Sequence, residues 1–243
     1  MPRAIRRHLR FLHAYVVTSL LVFAVLAAAA FRQPQKPQNL GEITAERINI
    51  VDADGTLRLV ISNKDRMHPG VIGGKVIQRQ RPLAGVIFFN DHGDEAGGLA
   101  LTGREQDGKR VASAGIMFDQ LGQDQTIGFD YSEADGLRAA AFKVWDRPDA
   151  PLSDLVEKLN AANAIEDKEK RDATVARVRA EAPKPAQRVL VGKTRERAAT
   201  VLLSDAEGRT RLALKVEADG AASIEFLDGD GKVVHKVEPT RTP

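Results

Sequence analysis

The chain has 243 residues, with 36 Lys and Arg against 33 Asp and Glu for a net charge of +3, and no cysteine. Lack of cysteine excludes disulfides, zinc thiolate and iron–sulfur sites, lipidation at an N-terminal Cys and a Cys nucleophile. Arg3, Arg6, Arg7 and Arg10 all precede the first apolar run; without them the chain is one charge negative, and it shows no basic patch of the kind that binds nucleic acid.

After those arginines, Phe11 to Phe31 contains no Asp, Glu, Lys or Arg and is dominated by Leu, Val, Ala and Phe. A bilayer core needs about 20 such residues in a helix. Arginines ahead of the run hold that end in the cytoplasm and send the rest of the chain across. Residues 1–31 therefore read as a single-pass anchor, with an extracytoplasmic domain behind it that is periplasmic in a Gram-negative cell. A cleaved signal peptide is the alternative, because Ala27 to Ala30 offers a cleavage-like site. A signal's apolar region is typically only about 7–15 residues, however. Residues 32–41, RQPQKPQNLG, form a Pro/Gln linker expected to be extended.

From about residue 42 the pattern becomes β. Asp52-Ala-Asp-Gly55, Asn90-Asp-His-Gly93, Asp119-Gln-Leu-Gly122, Asp205-Ala-Glu-Gly208 and Asp228-Gly-Asp-Gly231 each stand between apolar runs. Asp or Asn opening a four-residue turn and Gly closing it is the signature of a type I turn with a left-handed Gly, a bulged hairpin connection. Ile48 and Ile50, then Leu57, Leu59 and Ile61, alternate around the first turn, as a half-buried antiparallel hairpin requires. Asn63 to Pro82 reads as a long polar loop. Gly85 to Phe89 is apolar on both faces, hence a central strand. The glycine-rich return, Gly97 to Gly103, suggests close approach of another backbone. Strand, DxxG turn, strand, EADG turn, strand occurs twice, with EADG at 133–136 and 217–220, which suggests an internal duplication.

Between the two copies, Asp149 and Pro151 resemble a helix cap and a first-turn proline. Leu152, Leu155, Val156, Leu159 and Ala162 follow at helical spacing. The mostly charged stretch 166–182 ends at Pro183 and Pro185. The expectation is one long or two short helices, with Leu152, Leu155 and Leu159 docked on the β domain and Lys168 to Arg179 projecting as a possible arm for an envelope protein partner. The domain organisation is thus 1–31 anchor, 32–41 linker, 42–148 and 188–239 β domain, 149–187 helical insertion and 240–243 tail. The fold class is mostly β, with antiparallel hairpin repeats forming a barrel, roll or sandwich.

Chemistry is sparse. Metalloprotease HExxH and nucleophile-elbow GxSxG patterns are absent, Gly74-Lys75 lacks the spacing of a phosphate loop, and no cofactor motif is present. The densest polar cluster is Asp91, His92, Asp94 and Glu95, weak catalytic candidates that also sit on a turn, where polar residues are expected. Asp52/Asp54 and Asp228/Asp230 fail the EF-hand spacing at Thr56 and Lys232. Trp145 reads as a core residue at a strand end. Three function classes follow: a non-catalytic binding or scaffolding domain in the cell envelope, an envelope adaptor or lipid-transfer component requiring an apolar groove, and a hydrolase using the Asp91–Glu95 loop with a distant partner such as His235.

Overall fold

The computed structural model describes residues 2–31, 39–77 and 79–240, in two units, Met1–Thr44 and Ala45–Pro243. The first unit carries helix α1 (Arg3–Phe31). Of it, Ile5–Ala29 is 25 residues long and apolar enough to cross a membrane. The helix begins eight residues ahead of the uncharged run, so its first turns carry the arginines. Most of the linker expected at 32–41 and of the tail at 240–243 lies outside the described residues.

The second unit is β-rich. In chain order it contains β1 (Arg47–Val51), β2 (Leu57–Ser62), the small hairpin β3 (Val71–Ile72) and β4 (Lys75–Val76), β5 (Ala84–Phe89), β6 (Glu95–Gln106), β7 (Lys109–Asp119), β8 (Gln125–Ala134) and β9 (Leu137–Asp146). Helices α2 (Leu152–Asn163) and α3 (Lys168–Glu181) follow, then β10 (Ala186–Lys193), β11 (Ala199–Ser204), β12 (Thr210–Val216), β13 (Ala222–Leu227) and β14 (Val233–Val237). Twelve of these strands form one sheet in the order β1-β2-β5-β6-β7-β8-β9-β10-β11-β12-β13-β14, every pair antiparallel. The mostly β, antiparallel class read from the sequence is what forms, as an open meander whose first and last strands each have one neighbour. The β10 strand begins two residues inside the segment expected to be helical insertion.

Turn chemistry sets this topology. In the turns led by Asp52, Asn90, Asp205, Glu217 and Asp228, the leading carbonyl accepts from the glycine N–H, and the leading N–H donates to the carbonyl just past the glycine. These five glycines have φ between +77° and +90°, a region that costs residues with a Cβ strain. The side chains of Asn90, Asp205 and Asp228 accept from backbone N–H groups of their own turns. The turn expected at Asp119–Gly122 is displaced by one residue: Asp119 stays paired with Gln125, and Gln120 opens the turn by accepting from Gln123. Two-residue turns at Asp107-Gly108 and Asp135-Gly136 have positive φ at both positions, the type I′ geometry that suits twisted hairpins. The two EADG segments therefore fold differently. Glu133 and Ala134 remain in β8, paired with Arg138 and Leu137, whereas Glu217 leads a four-residue turn. The expected duplication does not extend to turn geometry.

Among the described residues of the second unit, one face of the sheet carries a covered core. Val60, Ile87 and Phe89 are buried there, with Leu57, Met67 and Val71 packed against them and the His68 ring edge-on to Phe89 at 5.0 Å. The described residues of 63–82, expected as a loop, thus act as a strap over β2 and β5. This explains why Gly85–Phe89 is apolar on both faces: Ile87 and Phe89 turn to the strap, and Val86 and Phe88 to the other side. The close approach expected at the glycine-rich return also forms. At Gly97 (φ +127°) a Cβ would overlap the Met117 carbonyl oxygen and lie 2.9 Å from the Phe118 Cα.

Helix α2 starts at Leu152 with Pro151 as its cap residue and no side-chain cap. The Leu152 N–H donates instead to the Gly122 carbonyl, at 2.8 Å, so a tertiary contact replaces the cap expected from Asp149. Helix α3 is capped by Asp167, which accepts from the Lys170 N–H at 2.9 Å. Rather than projecting alone, α3 packs against α2, although no α3 residue is buried.

Candidate functional site

The acidic side chains of the polar turn after β5 are engaged in local structure. Asp91 pairs with Arg58 at 2.8 Å while 94% exposed, His92 is exposed, and Asp94 accepts from the Gly74 N–H at 2.8 Å. Glu95, with its side chain only 10% exposed, takes two hydrogen bonds of 2.8 Å from the Arg81 guanidinium and one of 3.3 Å from Arg79. These bonds tie the strap to β6. His235 lies on β14, at the opposite end of the strand order, exposed and 5.7 Å from the Phe226 ring. The structure does not bring His235 to the Asp91–Glu95 loop. Asp54 and Asp228 direct their carboxylates at turn N–H groups, which accounts for their spacing. Trp145 is half-buried at the end of β9, with the Arg147 guanidinium 5.7 Å from its ring centre.

Two clefts occur near the helix-bearing end of the sheet. One, about 270 Å³, lies under the strap and is lined by Arg81, Glu95, Gly98, Gly115, Asp119 and Asp130 among others. The Asp119 Oδ1 is buried without a hydrogen-bond partner. Burial, with Asp124 and Glu95 nearby, pushes its carboxyl up to about 7. That value would suit a general acid or base. The other cleft carboxylates are held by cations, Glu95 by Arg81 and Asp130 by Lys143 at 2.7 Å, and the volume is below the roughly 300 Å³ of ordinary ligand sites. The second cleft, about 580 Å³, lies between the helices and the sheet end and is lined by Leu152, Leu155, Val178, Gln123, Arg147 and Pro148 among others. Of the α2 stripe, Leu152 and Leu155 line this cleft together with α3 and the turn after β7.

The largest chemical asymmetry is the sheet face opposite the strap. Directly paired residues share a face, so the register can be followed across the whole sheet: Ile61 with Val86, Leu99 with Ile116, Ile116 with Phe129, Phe129 with Phe142, Val191 with Val201, and Leu214 with Ile224. Every strand of the sheet contributes aliphatic or phenyl side chains to this face, yet among the described residues of the second unit no other element packs over it: substantial contacts run between sheet neighbours, within the β3–β4 hairpin, or between α2 and α3. Phe129 is 58% exposed, Leu101 51%, Phe118 46% and Val216 47%. With the other half-exposed side chains on this face they form an extended apolar patch, of the kind that marks an interaction site. Across its C-terminal strands this face forms a cleft of about 680 Å³, whose walls include Val191, Val201, Leu214, Val216 and Ile224.

The same face turns polar where β8 and β9 meet at Asp135-Gly136. The Tyr131 hydroxyl donates to Glu133 at 2.8 Å, and Arg138 pairs with the other Glu133 oxygen at 2.9 Å. Hydrogen bonds from Tyr131 and Arg138 hold the Glu133 carboxyl below its ordinary value, and the bond to Glu133 raises the Tyr131 hydroxyl. The opposite face is polar across the C-terminal strands, where Glu225 takes a 2.8 Å ion pair from Lys215 and a 3.7 Å pair from Lys236. Alternation in each strand announced an apolar side. That these sides align across the sheet and stay uncovered depends on register, which the sequence does not display. Compared with models of known protein families and with curated proteins, the chain matches none, so functional inference rests on this geometry.

Proposed function

We propose that the chain is a membrane-tethered, extracytoplasmic β domain whose open apolar face holds lipid acyl chains, as a lipid-carrying component of the cell envelope. The observation that carries this reading is the single-layer sheet with one uncovered apolar face. Domains bury such a face against a second layer, and among the described residues the β unit supplies none for it. The floor of Val, Leu, Ile and Phe suits featureless hydrocarbon. Protein interfaces favour Tyr, Trp and Arg anchors, and the floor away from the Glu133 cluster has none. A spanning helix, with the arginine asymmetry that favours export, keeps the domain beside a source of lipid. The hydrolase reading gains no support from residues set nine strands apart in the order, and scaffolding alone gives no reason for the open face.

The test is site-specific photocrosslinking of the full chain in native membranes, with a benzophenone side chain at Leu214 on the open face and, separately, at Leu202 on the opposite face. A lipid adduct at 214 and none at 202 is the expected result. Protein adducts alone at 214 overturn the proposal. A reporter active only outside the cytoplasm, fused after Pro243, tests the orientation, and an inactive reporter refutes it.

A further inference from the structure

We infer that the ligand of this face is an anionic phospholipid of the tethering membrane, its headgroup read by the basic β10–β11 turn at Lys193, Arg195 and Arg197; the inference rests on the lipid-binding reading above. The 680 Å³ apolar cleft is walled by Val191, Gly192 and Ala199, the residues that flank this turn. Lys193 pairs with Ala199 and Ala140, so it projects from the open face at the mouth of the cleft. Lys193, Arg195 and Arg197 are all exposed. Glu196 in the turn, Glu238 on the cleft wall and Glu217, which follows Val216 opposite Ala199, are acids near it.

The turn also departs from the rules that the other turns obey. Thr194 and Arg197 make the same backbone bonds as the Asp-to-Gly turns, 3.1 Å from the Arg197 N–H to the Thr194 carbonyl and 2.8 Å from the Thr194 N–H to Ala198. Arg197 stands where five others have glycine, at φ +71°. That conformation costs a residue with a Cβ on the order of 1 kcal/mol. Thr194 Oγ1 is buried without a partner, where Asn90, Asp205 and Asp228 use their side chains to brace the turn. A hairpin that gives up both stabilising residues and gains cations beside an apolar cleft is organised for an anion joined to hydrocarbon. Local rules broken together mark functional positions.

The experiment uses the full chain, with the Leu214 benzophenone, in vesicles of equal parts phosphatidylglycerol and phosphatidylcholine. Each cation near an anionic headgroup contributes about 1 kcal/mol, roughly fivefold. Adducts of the otherwise unaltered chain should therefore favour phosphatidylglycerol at least about fivefold. The triple variant Lys193→Gln, Arg195→Gln, Arg197→Gln should give as many adducts in a ratio near the bilayer's own. Arg197→Gly, which supplies the residue the turn geometry prefers, should raise the melting temperature and reduce the preference. Equal capture of both lipids by the unaltered chain overturns the inference while leaving acyl-chain binding intact, as does a triple variant that keeps the preference. Absence of any lipid adduct overturns both readings.

Discussion

If the open face is uncovered by protein, truncating it should cost little stability compared with truncating the strapped core. Ile87 is 2% exposed in a cluster with Val60 and Phe89. Ile87→Ala removes buried methyl groups and leaves a cavity that the strap closes only in part, at about 3 kcal/mol. In a domain of this size each kcal/mol shifts the melting temperature by about 2–4 °C, so the expected loss is about 6–12 °C. Phe129 is 58% exposed. Phe129→Ala forfeits less than half of the roughly 1.5–3 kcal/mol of a fully buried phenyl and its tilted contact with Phe142, at 5.0 Å between ring centres. That amounts to about 1–1.5 kcal/mol and a shift of about 2–6 °C. Thermal unfolding of the full chain, followed by far-UV circular dichroism at one fixed detergent concentration, measures both. A Phe129→Ala loss equal to that of Ile87→Ala would mean the face is packed against protein, and the lipid argument would lose its basis.

Gly97→Ala should destabilise by about 3 kcal/mol, from positive-φ strain plus overlap with β7, whereas Gly103→Ala in the same strand, where a Cβ would meet Ala112 at 3.9 Å, should shift stability by less than about 1 kcal/mol; chemical denaturation of both variants distinguishes them. Gly208→Val should cost about 1–2 kcal/mol from left-handed strain, with added crowding because a Cβ would lie 3.2 Å from the Ala186 Cα, and an unchanged melt would contradict the turn geometry. The folded Asp119 carboxyl titrates near 7 against 3.8 ordinarily, so between those values the folded chain keeps a proton that the unfolded chain has released. Stability therefore falls as pH rises from about 4 to 7, and Asp119→Asn should remove that slope and gain about 2 kcal/mol at pH 8, half the full linkage value because water reaches part of the group; equal slopes for both proteins refute the assignment. Replacing residues 166–182 with a Gly/Ser linker should leave the β signal intact, since no α3 residue is buried; loss of β structure would show that α3 is a structural plug.

Much of this protein was legible in one dimension wherever the cause was local. Asn90, Asp205 and Asp228 dictate their turns because a side chain three bonds from the backbone can satisfy the turn's own N–H groups, and Gly55, Gly93, Gly208 and Gly231 take the conformation that a Cβ resists. The apolar run of α1 needs only length and composition. Local cues failed where neighbours compete: Asp119 stays in its strand because Gln125 pairs with it, Glu133 is held in β8 by Arg138 and Tyr131, and the Leu152 N–H finds the Gly122 carbonyl in place of a cap. Thr194–Arg197 was invisible because its turn is imposed by the flanking ladder against the preference of its residues. The strap that follows β2 looked like a loop because only three dimensions bring Met67 and Val71 over Val60. The sequence by itself determined which strands alternate and where they reverse. Only the tertiary structure decided that every strand of the sheet turns apolar side chains to one shared face and that no other described element of the β unit packs over it, because a one-residue change of register moves a strand's apolar side chains to the opposite face, and register is a property of pairs of strands.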